Sequence, residues 1–281
     1  MQPAAPTSAT ATSRGKFFSS FLNATACYLL AWLLVNGVYQ TAAALMARRA
    51  HVPGRWSLAG LQFNLPNSGW QQNMVLGVYG TGPLLLLGLA GLALGAFWKL
   101  RQQRGLLKQL LLWVALLAFN QVLAGLLADT VTQSGFWYVP NWLLNVGGTW
   151  PSLVLGLLLS AGQLVLGYGL AIPFLMAQDS RTLLQFDNRF YLVIYALLGP
   201  WLAGSALLAL SKLPHLSLSE VLHYVTLGLL LVPLALGLNQ PYQDENEVLP
   251  PPTYVAWGLV ALALLGVLAW RLALGGAGVR L

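Results

Sequence analysis

Seven stretches of the chain are apolar for long enough to cross a bilayer, and short polar segments separate them. They cover about residues 19–47, 73–98, 107–128, 151–177, 190–211, 221–239 and 253–274. Each is close to or above the roughly 20 residues that span ~30 Å of hydrocarbon. Continuous runs of this length predict helices, because a helix in lipid satisfies its own backbone hydrogen bonds. An outer-membrane barrel would show alternating stretches of about ten residues instead. The expected fold is therefore all-α: a polytopic transmembrane helix bundle of about seven spans.

The segments between the runs add detail. Residues 1–15 are rich in Ala, Thr, Ser and Pro and read as a disordered tail. Residues 16–281 then form a single transmembrane domain, with no internal repeat. After the first span, Leu61-Gln62-Phe63-Asn64-Leu65 alternates apolar and polar residues at the strand period, and Pro66-Asn67-Ser68-Gly69 signals a turn. A short strand-like hairpin is expected there. Gly91 and Gly95 in the second span have the spacing that lets helices approach closely. Residues 130–150 form a loop with an interfacial Phe136-Trp137-Tyr138 cluster. Gln240 to Thr253 carries Asp244, Glu245 and Glu247 and reads as solvated.

Composition excludes a soluble globule. Hydrophobic residues make up 57% of the 281 positions and charged residues only 7%, against about 25% charged in soluble domains. The net charge of +7 is scattered through short loops without an aromatic-basic platform, so it does not imply nucleic acid. It implies orientation against an anionic leaflet. With the N-terminus inside, the cytoplasmic segments hold eight basic residues: Arg14, Lys16, Lys99, Arg101, Arg104, Lys108, Arg181 and Arg189. The opposite side holds six: Arg48, Arg49, Arg55, Lys212, Arg271 and Arg280. The reading is N-in and C-out, in a bacterial inner membrane, with the bilayer as the first partner. The lone Cys27 cannot form an intrachain disulfide and reads as a buried, inert thiol.

Polar side chains inside the spans carry the functional signal, because placing them in hydrocarbon costs free energy. Asn36 and Gln40 lie four apart on one face of the first span, beside Tyr39. Asn120 and Gln121 lie in the third span, which Asp129 closes. Gln163 and Tyr168 follow in the fourth. Asn36, Gln40, Asn120 and Asp129 form the candidate intramembrane polar cluster. Interhelical hydrogen bonding is the plain expectation for the amides, and a helix end facing water is the plain expectation for Asp129. The histidines at 51, 215 and 223 have no common ligand spacing. His51 and His215 read as loop residues and His223 as interfacial. No metal, cofactor or catalytic set emerges, since zinc needs several converging His, Cys or carboxylate ligands.

The run Asn36-Gly37-Val38-Tyr39-Gln40, followed by Thr41-Ala42-Ala43-Ala44-Leu45-Met46-Ala47-Arg48-Arg49, resembles the His-Glu-x-x-His helix of site-2-protease-like intramembrane zinc metalloproteases. The strand-like segment and Gly80-Thr81-Gly82-Pro83-Leu84 follow in the order of that family, and Asp129 falls near its third ligand. The resemblance covers the first half of the chain. It places Asn36 and Gln40 at the two histidine positions and Gly37 at the glutamate position. It therefore implies a relative whose chemistry is lost, because carboxamides are poor zinc ligands and glycine cannot act as a base. Such a relative would bind a membrane protein or peptide through a retained cavity. The alternative is a small-solute or lipid transporter or permease, built around interrupted helices. A lipid-modifying membrane enzyme ranks last, for want of convergent His, Asp or Glu residues.

Overall fold

The first apolar run folds as one helix of 41 residues, α1 (Ala9–Arg49). In the computed structural model, which describes residues 9–103, 105–134, 138–144, 149–178, 184, 188–239, 254–276 and 278–281, α1 is the hub of the bundle. It starts ten residues before the apolar run, so helix covers the second half of the segment expected to be a disordered tail. No Pro or paired Gly interrupts residues 9–49, which lets the helix extend in both directions.

Two short strands follow, β1 (Gly54–Ser57) and β2 (Gly60–Phe63). They pair antiparallel with Trp56 opposite Leu61 and Ser57 opposite Gly60. The expected hairpin is present, but it turns at residues 58–59; Leu61–Phe63 of the alternating segment lie in its second strand, and Asn67–Gly69 form a separate helical turn after it. Gly60 turns the chain at φ +94°, a left-handed conformation that a side chain would strain.

The remaining helices are α2 (Gln72–Leu100), α3 (Leu107–Leu123), α4 (Gly125–Thr132), α5 (Tyr138–Leu143), α6 (Thr149–Gly169), α7 (Ala171–Ala177), α8 (Arg189–Lys212), α9 (Leu218–Thr226), α10 (Gly228–Gly237) and α11 (Trp257–Gly275). Three of the expected single spans are broken. The third bends by 42° between α3 and α4, the fourth divides at Leu170, and the sixth divides at Leu227. The fifth keeps its course through a π-helical stretch at Val193–Leu198. A third strand, β3 (Val279–Arg280), joins the far edge of β1.

Among the described residues, six helices are long and apolar enough to cross a membrane, and the bent α3–α4 pair makes a seventh if it is one span. Strand parity bears on this. The hairpin and β3 share one sheet, order β2-β1-β3, so they lie on one face. The chain between them must cross an even number of times. With α3–α4 as a crossing, six helical rods separate the hairpin from β3. Without it there would be five, and β3 would emerge on the wrong side. Among the described residues the chain is thus a multi-pass bundle of six to seven candidate spans, and the shared sheet favours seven.

Packing centres on α1. More than half of its span is buried (56%), against 11% for α11. Inside a bilayer such contacts rest on close fit and hydrogen bonds, since lipid is as apolar as the core. Tyr28 illustrates both. Its ring meets Trp113 edge-on at 5.2 Å, and its hydroxyl shares a 2.7 Å hydrogen bond with Ser205. Gly82 sets the α1–α2 approach, because a Cβ there would fall 2.8 Å from the ring of Tyr39. Gly91 and Gly95, by contrast, have open space around them. They face outward, and no described residue of another helix makes the close approach expected from their spacing.

Candidate functional site

Three features of the fold open a polar cavity of about 320 Å³ on the hairpin face of the bundle. The C-terminal half of α1 supplies Trp32, Asn36, Tyr39 and Gln40. The bent third span supplies Gln121 and Asp129. The start of α9 supplies Ser219, Glu220 and His223, with Lys212 from the end of α8. Ala59, Gly60 and Leu61 of the hairpin and Ser134 from the loop after α4 complete the wall.

Local sequence explains how α9 presents its residues. Ser217 is its N-cap and forms a capping box with Glu220: Glu220 N–H donates to Ser217 Oγ, and Ser217 N–H donates to the Glu220 carboxylate, each at 3.2 Å. This arrangement satisfies two amide groups that every helix start leaves open. Ser219 and His223, four apart, then share one face. Both meet Asp129 Oδ1. Ser219 Oγ donates to it at 2.6 Å, and His223 Nε2 lies 3.0 Å from it.

The bend after α3 delivers Asp129 to this meeting point. Asp129 is 2% exposed, so it is not a helix end facing water. Helix continues past it to Thr132, and Ser134 N–H closes the turn on the Asp129 carbonyl. The other ring nitrogen of His223 lies 3.2 Å from Gln121 Oε1. With Gln121 presenting that oxygen, both ring nitrogens donate and the imidazole carries a positive charge opposite the carboxylate. With the amide turned over, Nδ1 accepts and the ring is neutral. His223 therefore points into the bundle rather than to the interface. His215 is exposed, and His51 occupies the turn after α1 at φ 54°, as loop residues should.

Beside this pair, Lys212 makes an ion pair with Glu220 and sits 5.2 Å from the centre of the Trp32 ring. Arg271 caps the same end of α8 by donating to the Leu210 carbonyl, which suits a cation at a helix C-terminus.

Asn120 does different work. Its Nδ2 donates to the His223 carbonyl at 2.9 Å, and its Oδ1 accepts from Gln163 Nε2 at 2.7 Å. Trp201 Nε1 donates to the Tyr224 carbonyl at 2.9 Å. These carbonyls are open because the sixth span breaks at Leu227, and the last turn of a helix lacks its own donors. Asn120, Gln163 and Trp201 thus cap a broken helix from three neighbours. Asn120 lines only a smaller chamber of about 30 Å³, which continues inward past Trp32, Asn36 and His223 and has the volume of about one water.

Of the four candidate residues, then, Asn36, Gln40 and Asp129 converge on one cavity, and Asn120 braces the helix behind it. Tyr168 faces outward. The sequence reading missed Ser219, Glu220 and Lys212 and misplaced His223. The Ser217-x-x-Glu220 capping signature was the available signal.

The arrangement does not fit a zinc ion. Among the described residues no three His, Cys, Asp or Glu side chains converge. The Asp129 oxygen nearest the cavity residues is already engaged by Ser219 and His223. Nor is it a serine-hydrolase triad, which hands the serine proton to histidine. The Ser219 hydroxyl donates its hydrogen bond to the Asp129 carboxylate instead. No family model, curated protein or solved structure matches the chain.

Proposed function

We propose that this protein is a non-catalytic relative of site-2-protease-like intramembrane metalloproteases, residing in a bacterial inner membrane and holding a membrane protein or peptide in the cavity on its hairpin face. One observation carries the reading. Asn36 and Gln40 stand at the positions that the resemblance assigns to two zinc ligands, and Asp129 falls near that of the third. Although 89 residues separate Gln40 from Asp129 in sequence, all three line one cavity. A polar cavity retained without its metal chemistry suits binding rather than cleavage.

Metal analysis tests this. Purified wild-type protein carries no stoichiometric zinc. The double variant Asn36→His/Gln40→His gains about one zinc per chain, and adding Asp129→Asn removes it. Zinc in the wild type that disappears with Asp129→Asn contradicts the reading, as does a double variant that takes up none.

A solute carrier is the second reading. Two broken spans, α3–α4 and α9–α10, meet beside the cavity, and transporters build their sites from such breaks. A thermal-stability screen across small solutes separates the two. A stabilising solute whose effect is lost with Asp129→Asn favours the carrier.

A further inference from the structure

Trp32, Asn36 and Gln40 form a stripe along α1, each one helical step of four residues from the next, and all three line the cavity. Gln40 Oε1 is buried without a hydrogen-bond partner among the described residues, and Asn36 lies one helical step before it on the same wall. Behind the wall, Asn120 and Gln163 are tied to each other and to the broken helix, although Gln163 Oε1 is itself left without a partner among the described residues. A buried acceptor without a donor is a standing cost to the fold. Gln40 also lines the cavity, so a turn of its carboxamide toward that space would let a ligand supply the missing group.

The kind of ligand follows from chemistry and spacing. A carboxamide offers one acceptor and a pair of donors, the complement of a peptide group. Four residues of α-helix advance about 6 Å. In an extended chain the main-chain groups on one edge recur every second residue, at roughly 6.6 Å. The two carboxamides therefore match the repeat of a strand edge, a match that a lone ion or a single amide cannot use. The rings of Trp32, Tyr39, Tyr79 and Tyr224 flank the stripe and offer apolar surface to side chains. Exposed Ser134 and Ser217 on the wall show that the cavity reaches the loop face, where a chain can enter. Its volume lies at the lower end of the range of about 300–1,000 Å³ that holds small ligands, enough for a short segment and not for a folded helix.

We infer that Asn36 and Gln40 form a two-rung carboxamide ladder that binds the main chain of an extended peptide segment. The inference rests on the partner-binding reading and deepens it: the partner is held by its backbone, in an unwound stretch.

The test uses the full chain in lipid nanodiscs and a capped hexapeptide of alternating valine and alanine. A second peptide carries N-methyl groups at alternate residues, which remove the N–H donors of one edge. A single-amide compound, N-butylacetamide, is the third probe. The plain peptide binds, and Asn36→Leu and Gln40→Met each weaken it about fivefold, the usual loss for one hydrogen bond. The N-methylated peptide loses at least as much, and N-butylacetamide shows no dependence on the pair. Gln40→Asn, which keeps the amide, retains more affinity than Gln40→Met. Unchanged thermal midpoints show that the variants fold. Equal binding of plain and N-methylated peptides overturns the ladder, as does indifference to both substitutions. Either result leaves the partner-binding reading in place. Failure of the plain peptide to bind also overturns the ladder, and zinc uptake by the double-histidine variant then decides the family reading separately.

Discussion

Two pairs of carboxamides inside the bundle, Asn120 with Gln163 and Asn36 with Gln40, behave oppositely. Asn120 and Gln163 are bonded to each other and to the carbonyls around the break at Leu227. Asn36 and Gln40 face a cavity, and Gln40 Oε1 has no partner among the described residues. The residue types are the same, so the backbone makes the difference. The sixth span is broken, and its open carbonyls claim any donor within reach. α1 is continuous through residues 36–40, so its carbonyls are already used and its side chains are left for something else. An amide is spent where packing brings open backbone groups to it, as at the break at Leu227 and at Asn23, which bonds the Tyr254 carbonyl and the Ala256 N–H at the start of α11; among the described residues no such groups reach Asn36 and Gln40.

That contrast can be broken by experiment. Asp129→Ala should have the largest effect. It strips Ser219 and His223 of their shared acceptor, and a loss of about 3 kcal/mol in unfolding free energy is expected, read by denaturation in mixed micelles. A loss under about 1 kcal/mol would mean that the pair on α9 does not depend on Asp129. Asn120→Leu comes next. It removes two interhelical hydrogen bonds at roughly 0.6 kcal/mol each, while the His223 carbonyl keeps the Thr226 hydroxyl as a donor, so about 1.2 kcal/mol is expected. The double variant Asn36→Leu/Gln40→Leu should have the smallest effect, within about 0.5 kcal/mol. If it destabilises as much as Asn120→Leu, the two regions are alike and the cavity amides are structural too.

Much of the architecture was legible from hydropathy alone, because a membrane span must be apolar along its whole length. All seven runs correspond to helical rods, and the alternation at 61–65 lies over the observed hairpin. What hydropathy could not reveal is where a span breaks. The bends at Ala124 and Leu227 fall within apolar runs, with no proline at either point. β3 was equally hidden, since a strand of two residues has no period and exists only through β1.

The candidate site was half legible. Asn36, Gln40 and Asp129 stood out because polar groups in apolar runs are costly. His223 did not, because its place at a span start fits an interface as well as a core. The rotation of α9, set by the Ser217–Glu220 box, turns it inward to an aspartate 94 residues away.

The sequence by itself determined that the chain lies in a bilayer, that it is helical, and which side chains are expensive to bury there. These follow from the composition of each segment alone. Which of those side chains share a cavity, and which are consumed in bracing a broken helix, was decided only by the tertiary structure. The physical reason is that a hydrogen bond saturates. An amide is available or spent according to the groups that packing brings within about 3 Å of it, and those groups lie on other spans.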